Sequence, residues 1–143
     1  MTNLTPPVRT FFQVLFLLAA IDSVVVGTWA VLCPTDLLPP VEVQPPDEPR
    51  KPRDDIFLWR ATGALAIAQA VILGMLVWRP ESFGPLAIVP LLGRCLTTAV
   101  WLWLLGSDRD TVGDGLLTVL AIHDAGWIPL FASFLLVWHG SRR

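Results

Sequence analysis

The sequence predicts an all-α integral membrane protein, a four-helix bundle of up-down-up-down topology forming a single domain over residues 1–143. Three observations carry this expectation. The chain is 54% hydrophobic and only 15% charged, with a mean hydropathy of +0.62, too apolar for an ordinary soluble domain of this length. Four long apolar runs cover 11–32, 57–78, 83–105 and 115–138. Each reaches roughly 33–36 Å as a helix, enough for a hydrocarbon core about 30 Å thick. The runs are continuous rather than alternating in steps of two, which excludes a β-barrel; lipid leaves helices as the other way to satisfy every backbone group. A soluble bundle would need polar outer faces, which these segments lack over most of their length.

The first run is preceded by Arg9. It exceeds the usual core of a signal peptide, and Ala30-Val31-Leu32-Cys33 lacks a small residue directly before the cysteine, so we read an uncleaved first helix. Residues 34–56 form a linker containing Pro34, Pro39, Pro40, Pro45, Pro46, Pro49 and Pro52 among acidic residues, a density that forbids helix and favours an extended solvated loop. The links 79–82 and 106–114 are short, so sequence neighbours must run antiparallel. No internal repeat is evident, which weighs against an inverted-repeat transporter within one chain.

Four crossings put both termini on one face, with Arg9, Arg79, Arg142 and Arg143. The opposite face holds Arg50, Lys51, Arg53 and Arg109, so the positive-inside rule ties. Nine acids lie on that second face against Glu81 on the first, and the lean is to cytoplasmic termini. Trp29, Trp59, Trp101 and Trp103 cluster towards the acidic face and Trp78 and Trp138 towards the other, as interfacial anchors do; Trp127 is placed deep. The net charge of −2 advertises no nucleic acid as a partner. The expected partners are the bilayer itself and other membrane subunits or further copies of the chain.

Several residues do not belong in lipid. Asp22 and Arg94 fall at the centres of their spans, and Asp124, preceded by His123, lies about 4 Å from the centre of its own. Each ion at mid-membrane costs roughly 2.5–3.5 kcal/mol on the insertion scale. Side chains lean towards their helix N-terminus, so the parallel first and third helices aim Asp22 and Arg94 at the same half of the bilayer. Asp124 approaches Arg94 from the adjacent fourth helix. The expectation is a buried Asp22, Arg94, Asp124 triad, one guanidinium serving two carboxylates. The surplus negative charge requires either a protonated acid or a charged His123.

Arg60 is a peripheral candidate, about 11 Å from its span centre and able to snorkel to the headgroups. Gln69 is the mid-membrane polar residue of the second helix and can hydrogen-bond across the bundle. Pro90 and Pro129 are expected to kink their helices beside the triad. Small residues recur every fourth position at Ala19, Ser23 and Gly27 and at Ala66, Ala70 and Gly74, which suits packing of the first helix on the second.

Chemistry that is missing narrows the function. Tyrosine is absent and the histidines are His123 and His139, so a haem held between two helices has no obvious ligand pair, zinc lacks a cluster, and no cofactor or metal is expected. Cys33 and Cys95 form no C-x-x-C pair, and no nucleophile and base can be named for catalysis.

The order of Cys33-Pro34-Thr35-Asp36-Leu37-Leu38, Trp59-Arg60-Ala61-Thr62-Gly63-Ala64, Gly93-Arg94 and His123-Asp124 resembles small bacterial four-helix membrane proteins of the DoxX-like neighbourhood. The resemblance rests on single residues spread over the whole chain. It implies a four-helix fold and residence in the bacterial inner membrane, and no catalytic role. The long proline-rich loop and Asp22 do not fit that pattern. Taken together, the sequence points first to an accessory, scaffold or assembly subunit in which the triad fixes helix register. The alternative is a proton- or small-solute carrier using the same residues at mid-membrane.

Overall fold

The computed structural model describes residues 4–33, 54–107 and 114–141. The proline-rich stretch at 34–53 and the link at 108–113 lie outside them. Among the described residues four helices are long and apolar enough to cross a membrane, within Pro6–Leu32, Trp59–Trp78, Pro80–Trp103 and Leu120–Gly140. Helix α1 spans Pro6–Leu32 and α2 spans Asp54–Trp78. A short α3 at Pro80–Phe83 and a 3-10 turn at Gly84–Ala87 lead into α4, Ile88–Ser107, and α5 spans Asp114–Gly140. Among the described residues there is no strand.

Helix α1 opens with prolines at its first positions, where no intrahelical donor is needed, and closes with the Cys33 amide on Trp29 O at 2.8 Å. Its buried stripe is Phe12, Leu15, Phe16, Ala19, Ser23, Gly27 and Ala30, a helical period of small and aromatic residues. The opposite face exposes Phe11, Leu18, Ile21, Val25 and Leu32. In water such a surface would aggregate; against lipid tails it is the required exterior.

Two antiparallel hairpins make up the bundle, α1 with α2 and α4 with α5. At the crossing of α1 and α2 the glycines face one another. A Cβ added to Gly27 would lie 2.7 Å from Gly63 O, and one added to Gly63 would lie 2.6 Å from Gly27 O. Only hydrogen fits at both positions, so the two backbones touch. The small-residue face expected on α2 is thereby corrected. The crossing uses Gly63 and Ala66, whereas Gly74 faces open space, because contact depends on helix rotation and not on four-residue spacing alone.

The hairpins meet through an aromatic core near the termini. Phe134 packs edge-on against Phe16 at 4.7 Å and Phe12 at 5.0 Å, and Phe131 stacks on Phe16 at 6.1 Å. Leu73, Leu76, Ala87 and Trp138 complete this cluster. Gln13 Nε2 donates to Val77 O at 2.7 Å, and Arg9 pairs with Glu81 at 3.3 Å, tying the start of α1 to the turn after α2. Trp138 Nε1 donates to Glu81 O at 3.2 Å beside Gly84; this indole, expected as a membrane anchor, is 6% exposed.

The third span departs from one uninterrupted helix over 83–105. It begins as α3 and passes through the 3-10 turn before becoming α4, so the irregularity sits upstream of Pro90, around Gly84 and Pro85. Helix α5 continues through Pro129. Helix α2 starts at Asp54, which shortens the linker expected over 34–56.

Candidate functional site

Asp22 on α1, Arg94 on α4 and His123 and Asp124 on α5 converge between the two hairpins. Arg94 Nη1 donates to Asp124 Oδ1, and Nη2 donates to Asp22 Oδ2 at 2.9 Å and to Ser23 Oγ at 3.3 Å. The fork thus spans helices on both sides of it. Ser23 was read from the sequence as a small packing residue; its hydroxyl is also a ligand of the guanidinium, and its position beside Asp22 is the signal that was available.

His123 closes the ring of charges. Its Nε2 lies 2.8 Å from Asp22 Oδ1 and its Nδ1 lies 3.4 Å from Asp124 Oδ1. Both ring nitrogens face carboxylate oxygens, and only the imidazolium carries a proton on each. With His123 protonated, two acids face two cations and the site is electrically balanced; with a neutral imidazole it carries one net negative charge.

Asp124 has a further partner that the sequence reading missed. Trp101 Nε1 donates to Asp124 Oδ2 at 2.9 Å, and the Trp101 ring stacks on Trp59 of α2 at 5.4 Å and 20°. These two indoles, expected as interfacial anchors, stand against the site. The available signal was spacing: Arg94, Thr97 and Trp101 recur at three and four residues and share one face of α4. Thr97 Oγ1 lies 3.1 Å from Gly93 O and 3.2 Å from Arg94 O.

Arg94 and Asp124 are buried, while the His123 side chain remains 32% exposed. All three line a cleft of about 90 Å³. Its floor is Arg94, His123 and Asp124, and its walls include Trp59, Trp101 and the Gly27–Gly63 crossing. Gln69 of α2 also lines it and lies over Gly93, where an added Cβ would come 2.1 Å from Gln69 Nε2. Among the described residues the Gln69 amide has no protein hydrogen-bond partner, and the expected bond across the bundle is therefore not made. Arg60 is exposed and does not line the cleft; it stays outside the cluster.

Among the described residues no group of three or more His, Cys, Asp or Glu side chains is arranged to hold a metal ion. The guanidinium occupies the space between the two carboxylates. What the arrangement offers chemically is a proton-exchanging imidazole, a fixed cation and two carboxylates at the bottom of a cleft. In comparison with known proteins, no family model, no curated protein and no solved structure matches this chain.

Proposed function

We propose that this multi-pass membrane protein is a proton- or small-solute carrier whose working site is Asp22, Arg94, His123 and Asp124. The observation that carries the proposal is the cleft, which reaches His123, Asp124 and Arg94. A set of charges that only locks helices together needs no access and is best sealed by apolar neighbours. Here the imidazole, a group able to take up and release a proton, is left partly open. In this reading the protein resides in a cell inner membrane with cytoplasmic termini, and its partner is the bilayer.

A second reading has its own support. Both terminal nitrogens of Arg94 are occupied by partners on α1 and α5, as in a register lock. This favours an accessory, scaffold or assembly subunit working with other membrane subunits or with further copies of itself.

Proteoliposomes separate the two. With a potassium diffusion potential set by valinomycin and a pH-sensitive dye in the lumen, the carrier reading expects proton entry faster than in protein-free vesicles. It also expects that rate to fall to the protein-free level in His123→Ala. Equal rates for wild-type and protein-free vesicles refute proton carriage.

A further inference from the structure

The cleft is confined to one half of the bundle. From α1 it takes Val26 to Ala30, near the helix C-terminus; from α2 it takes Trp59 to Gln69, the N-terminal half. From α4 it takes Gly93 to Trp101, and from α5 Leu120 to Asp124. These residues lie at the level of the site or between it and the face that carries the 34–53 linker. The half towards the termini is filled instead, with Phe16, Leu76, Phe131 and Phe134 at 0% exposure and Leu73 at 1%. The charged site sits at the boundary between an open half and a closed one.

The chemistry of the walls indicates what enters. Gln69 presents an amide with two donors and one acceptor, and a bilayer interior makes an unpartnered amide costly. A volume of about 90 Å³ is ample for water, and a water needs two to four polar partners. Gln69, Thr97 and the charged floor supply them. With His123 neutral the four groups sum to one net negative charge, the state that takes up a proton, and with His123 protonated they sum to zero and leave no net charge to hold an ionic solute. The groups facing His123 are Asp22 from α1, Arg94 from α4 and Asp124 on its own helix; from α2, Gln69 shares the cleft with it.

Resting on the carrier reading above, we infer that the cleft is a one-sided aqueous vestibule. The cargo is the proton, which reaches His123 through water from the face of the 34–53 linker. A hydronium gives its proton to the neutral imidazole and leaves water, and the imidazolium so formed is held between the two carboxylates. The phenylalanine-filled half admits no proton from the terminal face in this conformation.

Silver ion is small enough for the vestibule and reacts with thiolates, which form in water and not in an apolar interior. In a background of Cys33→Ser and Cys95→Ala, single cysteines are placed at Thr97→Cys on the cleft wall, Thr62→Cys towards its mouth and Leu76→Cys in the closed half. Sealed vesicles of each orientation are treated with silver. Protection is read after denaturation as the loss of a maleimide-polyethylene-glycol gel shift, with Gln44→Cys and Thr2→Cys marking the two faces. Monodisperse elution in detergent qualifies each variant, and two cleft positions on different helices guard against loss of one. The expected result is protection of Thr97→Cys about tenfold faster from the linker face than from the terminal face, with Leu76→Cys protected from neither. Equal rates from both faces overturn the inference in favour of a through-pore, and no protection of Thr97→Cys from either face overturns it in favour of a dry cleft. One-sided protection without proton flux in proteoliposomes leaves the vestibule standing and removes the carrier.

Discussion

Removing Arg94 tests whether the four charged groups act as one unit. In Arg94→Leu, Asp22 and Asp124 face a single imidazolium, leaving an uncompensated negative charge between apolar helices. Loss of one partner from a buried ion pair costs about 3–5 kcal/mol. In the double variant Arg94→Leu, Asp124→Asn the surviving pair is Asp22 with His123, at 2.8 Å, and the balance of charge returns. The new asparagine keeps an oxygen for Trp101 Nε1, so the residual loss is about 1–2 kcal/mol from the missing hydrogen bonds. The double variant is therefore expected to be more stable than Arg94→Leu alone by about 2–3 kcal/mol, a figure well beyond the roughly 0.5 kcal/mol scatter of independent sites. Unfolding in mixed micelles, followed by tryptophan fluorescence, reads this difference. If the effects of the two single variants simply add to within about 0.5 kcal/mol, the charges are not coupled and the reasoning fails.

Three further outcomes follow from the packing. Gly63→Val forces a Cβ to 2.6 Å from the Gly27 carbonyl and is expected to cost about 1–3 kcal/mol, whereas Gly74→Val, in open space, stays within about 0.5 kcal/mol of wild type in the same assay. Phe16→Ala empties the aromatic core and lowers stability by about 3–5 kcal/mol; Phe11→Ala, on the exposed face, leaves the thermal midpoint nearly unchanged. Trp101→Phe keeps a ring against Trp59 but loses the donor to Asp124, costing about 1.5–3 kcal/mol. A melt identical to wild type would remove Trp101 from the site.

The spans were legible because lipid imposes a single demand, a continuous apolar run, that sequence meets residue by residue. The meeting of Asp22 with Arg94 was legible for a related reason, since isolated charges at mid-membrane must find each other. Rotation of each helix was not. Helix α2 is apolar nearly all round, so nothing in its sequence distinguishes the Gly63 face from the Gly74 face. Trp59 and Trp101 satisfy the pattern of interfacial anchors by position alone, and only coordinates show that they turn inwards. The break at Gly84–Ala87 arises where glycine, proline and a buried Trp138 coincide, a contact between segments far apart in the chain. The cleft depends on the separation of the hairpins, a quantity no single segment encodes.

The division into two hairpins has a consequence for biogenesis. At mid-membrane the α1–α2 hairpin carries Asp22 and no cation, while the α4–α5 hairpin carries Arg94 and the imidazolium against Asp124 alone. With His123 protonated, each half inserted by itself is a charged object of opposite sign in hydrocarbon, and the sum vanishes only on docking. An orphaned hairpin remains marked by its own electrostatics. The same contacts that position His123 therefore also report that both halves of the protein have arrived.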